Sequence, residues 1–156
     1  MISQKAKYAF RALMALARAD EGEPLLIAEI AEAQHIPKKF LEQILLDLKH
    51  HGILTSRRGK LGGYSLIKSA DQVTFGQVLR MIDGPISPLS CLSRSAYRRC
   101  TDCETEASCE IRRVFARVVD ATRAVLDQTT IADAISGPSS VGGTDISEAL
   151  TLAQAR

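Results

Sequence analysis

Tryptophan is absent from this 156-residue chain, and three tyrosines and four phenylalanines bring aromatic residues to only 4%. Capture of single-stranded bases by stacking needs more rings than that, which disfavours the class. No run approaches the ~20 apolar residues that a membrane-spanning helix requires. The amino terminus, Met1-Ile2-Ser3-Gln4-Lys5, passes straight into an amphipathic pattern and lacks the apolar stretch of a secretory signal. Net charge is scarce too, only +2, so its placement says more than its sum. These absences predict a cytoplasmic protein, in which four cysteines are not expected to form structural disulfides. With 46% apolar and 24% charged residues the composition is that of a folded globular domain.

The little charge there is collects in one place. Between residues 35 and 68 lie seven Lys and Arg against two Asp and Glu, a formal +5 in a chain whose total is +2. Within that stretch Phe40, Leu41, Ile44, Leu45 and Leu48 follow a helical period and predict one apolar face. Pro37 is expected at the first helical position and Gly52 as the stop. Two β-prone runs, 53–57 and 64–68, flank the basic segment Arg58-Gly59-Lys60-Leu61-Gly62-Gly63, which predicts a hairpin with positive charge at its tip. Ahead of it, 4–19 reads as an amphipathic helix capped by Ser3, 20–24 as a turn, and 26–33 as a short helix. A short helix, the joint Gln34-His35-Ile36-Pro37 and a longer helix make a helix-turn-helix, and the hairpin makes it winged.

Such a unit reads duplex DNA with the start of its second helix. Lys38, Lys39 and Gln43 are the candidate readers there, since Gln pairs with adenine and Lys with guanine or phosphate. Arg57, Arg58 and Lys60 on the wing are placed to meet the minor groove or the backbone. Ser3, Lys5 and Lys7 are candidate phosphate contacts. A merely solvated charged face is the plain alternative. His35, His50 and His51 fit surface, packing or helix-end roles better than metal ligation, and Met14 and Met81 fit the core.

Beyond the hairpin, Thr74 reads as the cap of a short helix through Phe75, Val78, Leu79 and Ile82, closed by Asp83-Gly84-Pro85. Residues 85–109 show no periodicity but hold Cys91, Cys100, Cys103 and Cys109, with gaps of eight, two and five residues. Thiolates are the soft ligands of zinc and of iron–sulfur clusters, and Arg94, Arg98, Arg99, Arg112 and Arg113 are nearby cations that favour them. An iron–sulfur cluster, a zinc ion, reversible thiol chemistry and four unliganded thiols all remain open. Cys100-Thr101-Asp102-Cys103 lacks the βαβ surroundings of a thiol oxidoreductase, and the chain reads as a binding protein, not an enzyme. Ile111, Phe115, Val118, Thr122 and Val125, spaced four and three, form a coiled-coil-like seam on a long helix. A second apolar patch closes at Ile135, and a flexible tail is expected after it.

Lys7-Tyr8-Ala9, Leu41-Glu42-Gln43-Ile44-Leu45, the wing Arg58-Gly59 with Gly62-Gly63-Tyr64-Ser65-Leu66, and Ile82-Asp83-Gly84-Pro85 together resemble the Rrf2-type bacterial transcription regulators, in the same order over residues 1 to 135. That resemblance implies homodimers that bind palindromic operators, with Tyr64 joining the DNA-facing wing. It also implies an iron–sulfur cluster on the cysteines before the dimer helix, as many members carry. Here a fourth cysteine is present, no His follows Cys109, and Lys7 stands where some members have a carboxylate. The expected fold is mainly α with a small β-hairpin: a winged helix-turn-helix plus a long dimerisation helix. The expected division is a DNA-binding domain at 1–84, a cysteine-rich sensor loop at 85–110, a dimerisation helix at 111–135 and a tail at 136–156. The competing function is a winged-helix protein-interaction module with a structural zinc or no metal.

Overall fold

The computed structural model describes residues 2–19, 23–59 and 62–137. Helix α1 (Gln4–Arg18) opens on Ser3, whose hydroxyl accepts the Ala6 N–H at 3.0 Å. Its inward face alternates Ala6, Ala9 and Ala12 with Phe10, Leu13 and Leu16, all buried. The alanines let other elements close in, and α1 touches α3 (Lys38–His50), α4 (Phe75–Asp83), α6 (Ile131–Ser136) and the wing. It is the axle of the core.

Helix α2 (Ile27–Ala33) buries Ile30 and hands over to a tight joint. His35 there takes a left-handed backbone, φ 49°, which turns the chain so that the Ile36 N–H reaches the Ala31 carbonyl at 2.9 Å. The Arg11 guanidinium donates to the Gln34 carbonyl and pins the joint to α1. Helix α3 differs from expectation at its start and at one edge of its apolar face. Pro37 is the cap rather than the first helical residue, its carbonyl accepting from the Phe40 and Leu41 N–H groups. Leu41, Ile44, Leu45 and Leu48 are fully buried, but Phe40 is 45% exposed. Each buried one contributes on the order of 1.5–3 kcal/mol. Gly52 ends the helix as expected. At φ 70° its N–H reaches the Lys49 carbonyl and the Ile53 N–H reaches that of Leu48, both at 3.0 Å, a double closure that suits glycine.

Strands β1 (Leu54–Arg57) and β2 (Gly63–Leu66) pair antiparallel, Leu54 opposite Leu66 and Arg57 opposite Gly63. They are slightly shorter than the predicted runs. Leu25 adds a bridge on the free edge of β2, exchanging backbone hydrogen bonds with Tyr64 at 2.9 and 2.8 Å. That close approach explains Gly63: a Cβ there would lie 2.5 Å from the Leu25 carbonyl oxygen.

Thr74 caps α4, accepting the Gln77 N–H at 3.2 Å, and Gly84 ends it at φ 84°. Phe75 stacks on Phe10 with centroids 4.4 Å apart, seating α4 on α1. Residues 85–109 are irregular except for a 3-10 turn at Ser90–Leu92. The segment expected as one dimerisation helix over 111–135 is two helices. Helix α5 (Glu110–Gln128) buries only Val119, and the chain then breaks at Thr129 and Thr130. Helix α6 inserts Ile131, fully buried, into the core of the head. The expected tail lies outside the described residues from 138 onward. Among the described residues no helix is long and apolar enough to cross a membrane.

Candidate nucleic-acid interface and cysteine cleft

Lys38 and Lys39 are exposed in the first turn of α3, and Gln43 is exposed one turn on. Gln43 donates from Nε2 to Asp47 Oδ1 at 2.9 Å, while Asp47 Oδ2 takes the Lys5 ammonium at 2.7 Å. The Lys5 hydrogen bond, then Gln43, hold the Asp47 carboxyl below the usual carboxylate range. One N–H of the exposed Gln43 is thus tethered, which leaves its second N–H and its carbonyl oxygen for pairing. Sequence reasoning missed Asp47, although a Gln and an Asp four apart on a helix are a known partnership.

The wing is braced by Lys49, whose Nζ donates to Ser56 Oγ at 2.6 Å and ties the end of α3 to β1. Arg57 and Arg58 are exposed at the tip, and Lys60 lies outside the described residues. Tyr64, opposite Ser56 on β2, is half-buried and packed against the core. Of the expected phosphate contacts near α1, Lys7 is exposed. Lys5 is committed to Asp47. Ser3 is committed to Asp83: its N–H donates to Oδ2 at 2.9 Å and its hydroxyl to Oδ1. Asp83 thereby fastens the start of α1 to the end of α4.

All four cysteines border one cleft of about 540 Å³ at the amino end of α5, together with Asp102, Glu104 and Glu110. Each is a free thiol; Cys91 is buried and the other three are half-buried. Cys109 caps α5, its Sγ accepting the Arg112 N–H at 3.4 Å. That backbone N–H, then the Cys103 thiol, lower the Cys109 pKa. Cys103, sharing hydrogen bonds with Cys109 and Cys100, is pushed up to about 12. Within that pair the thiolate is favoured at Cys109, with Cys103 as the proton donor that favours it.

Of the arginines expected around the thiols, Arg112 is the one most built in. Its guanidinium reaches Glu106 at 3.3 Å and the Cys91 carbonyl at 3.5 Å, and its Nε is buried without a partner. Arg99 donates to the Glu104 carbonyl at 3.1 Å. Arg123, farther along α5, donates to the Leu92 carbonyl at 3.0 Å and so ties the cysteine segment to the helix a second time. Among the described residues no three His, Cys, Asp or Glu side chains are gathered tightly enough to hold an ion. The donor chemistry nevertheless fits a thiolate-bound centre: four soft ligands on one cleft, with a buried, unsatisfied cationic N–H alongside.

The outer face of α5 exposes Ile111, Val114, Phe115, Val118 and Val125. Val118 and Val125 continue into an apolar groove of about 810 Å³ against Leu79, Ile86 and Leu126. An apolar stripe of this kind, interrupted only by Thr122 between Val118 and Val125, has the character of an interaction surface.

A winged helix-turn-helix head carried on a long helix defines a DNA-binding transcriptional regulator. The family described as iron-dependent transcriptional regulator, Rrf2, matches residues 2–137, and the chain belongs to it. An rrf2-like HTH-type transcriptional regulator of Rhodobacter capsulatus is 50% identical over 139 residues, 87% of this chain and 93% of that one. The structure of CymR, the global cysteine regulator of B. subtilis, matches with a TM-score of 0.72 at 33% identity, covering 88% of this chain and 98% of that one. IscR of T. potens matches with a TM-score of 0.66 at 26% identity, over 86% and 85% of the two chains. These relatives are regulators of transcription, not enzymes.

Proposed function

We propose that the protein is a homodimeric regulator that binds a palindromic operator and reports iron–sulfur or redox status through Cys91, Cys100, Cys103 and Cys109. The observation that carries it is the gathering of all four thiols on one cleft at the foot of α5, the helix whose apolar face is exposed. A family described as iron-dependent and a relative described as a cysteine regulator support the same reading. The α5 stripe is the dimer contact, residues 1–84 are the operator-binding head, residues 85–110 the sensor, and the site of action is the cytoplasm. Lys38, Lys39 and Gln43 enter the major groove, and Arg57, Arg58, Lys60 and Tyr64 serve the wing.

The four cysteines would hold an iron–sulfur cluster, which would supply electron-transfer and oxidant-sensitive chemistry. Arg112 and Arg123 hold the cysteine segment to α5, so a change in that segment moves the helix on which two heads are mounted. Half-sites about 34–36 Å apart accept only certain head angles, and a shift between matching and non-matching dimers sets operator affinity.

Anaerobic purification followed by absorption spectroscopy and iron, zinc and sulfide analysis tests the sensor. Coloured protein with iron and sulfide is expected, together with an operator affinity that changes on oxidation. Colourless, iron-free protein removes the cluster. Zinc alone with no duplex binding installs the protein-interaction reading instead.

A further inference from the structure

Single exposed hydrophobic residues are ordinary; what sets Phe40 apart is its company. It stands in the first turn of α3, 45% exposed, on a helix whose Leu41, Ile44, Leu45 and Leu48 are fully buried and whose other exposed apolar residue, Leu46, lies nearly two turns farther on. Tyr8 of α1 holds its ring edge to face, with centroids 5.8 Å apart at 81°, and Tyr8 is itself packed on the core. Lys38 and Lys39 precede it. Gln43 lies three residues on, a neighbour on the same helical face, and its amide is tethered by Asp47. A braced apolar edge and a braced amide therefore share the amino end of the helix, the end that meets base edges in the major groove. Thymine is the base that offers an apolar group there, its C5 methyl, and the adenine paired with it offers N7 and N6 to a glutamine.

We propose that Phe40 is a specificity-determining residue that packs against the C5 methyl of a thymine in each operator half-site, beside the base read by Gln43. This rests on the reading of α3 as the operator-binding helix and adds to it a contact that Lys38 and Lys39 cannot make. Because the contact is apolar, Phe40 carries none of the salt dependence of binding.

The test uses the full chain and a duplex selected from random sequences. Each thymine of the half-site is replaced in turn by uracil, which removes only the methyl. One position per half-site is expected to weaken wild-type binding roughly fourfold, the loss of one methyl's burial. Phe40→Ala is expected to bind the thymine duplex more weakly, with the wild-type salt slope, and to treat thymine and uracil alike there. Phe40→Leu, which keeps an apolar side chain in case the alanine variant fails to fold, is expected to retain part of the discrimination. Absence of any uracil-sensitive position in the wild type overturns the proposal. So does an undiminished uracil penalty in Phe40→Ala or, if that variant does not fold, in a folded Phe40→Leu that binds the thymine duplex more weakly. Failure to select any duplex is a distinct result, which removes the DNA reading beneath it.

Discussion

Ile131 donates its backbone N–H to the Val73 carbonyl at 2.9 Å, and Phe75 donates to Thr129 at the same distance. By this pair of bonds the chain, having left the head at Gly84 and traversed the cysteine segment and α5, returns to the strip just before α4. The carboxyl end of α5 is clamped to the head, and the Arg80–Asp127 ion pair at 2.7 Å adds to the clamp. Ile131→Ala opens a cavity in the shared core and is expected to cost about 2–5 kcal/mol. Urea unfolding checks it. Loss of under about 1 kcal/mol means that α6 is an appendage.

Removing charge from the wing tip gives a different signature. Arg58→Ala is expected to weaken operator binding and to reduce the log–log salt slope by about 0.9, one phosphate contact. Titrations across a range of salt concentrations measure it. An unchanged slope and affinity take the wing out of the interface.

Where that wing's second strand begins, Gly63 has no room for a side chain, since its added Cβ would meet Leu25 backbone at 2.5 Å and its φ is +146°. Gly63→Ala is expected to destabilise by roughly 1–3 kcal/mol and to loosen the Leu25–Tyr64 bridge. Amide exchange at Leu25 and Tyr64, faster in the variant, reads the bridge directly.

Acid weakens the Lys5–Asp47–Gln43 brace. The folded pKa of Asp47 is lowered by Lys5 and then Gln43. Its contribution is therefore complete above the unfolded value near ~3.9 and is lost as pH falls through the folded one. Asp47→Asn is expected to flatten that acid limb by under about 1 kcal/mol, because the pair is partly exposed. Unfolding midpoints measured down through the acid range, wild type against variant, test the sign.

Placing charge on the α5 stripe, as in Val118→Glu, is expected to give monomers with an intact head. Sedimentation velocity reads the mass and helical circular dichroism the fold. A stable dimer in that variant moves the interface elsewhere.

Much of this architecture was legible in the sequence because it is local. The period of Leu41, Ile44, Leu45 and Leu48, the caps at Ser3 and Thr74, and the Gly52 stop each depend on residues within a turn of one another. Phe40 was misplaced because periodicity counts an apolar residue at the flank of a stripe as core, while Tyr8, which shares its ring face, is far away in the chain. Ser3–Asp83 and Val73–Ile131 were illegible for the same reason: no local pattern announces a partner tens of residues distant. The cysteines announced themselves by type, but that all four share a cleft is a matter of how residues 85–109 fold back on α5.

The sulfur of Cys109 stands in two places at once. It borders the cleft and also closes the first turn of α5 by taking the Arg112 amide. A sulfur is a weak acceptor, so this turn is fastened lightly. Any new bond formed at that sulfur competes with the amide for it, and the first thing to feel the competition is the point at which α5 begins to wind.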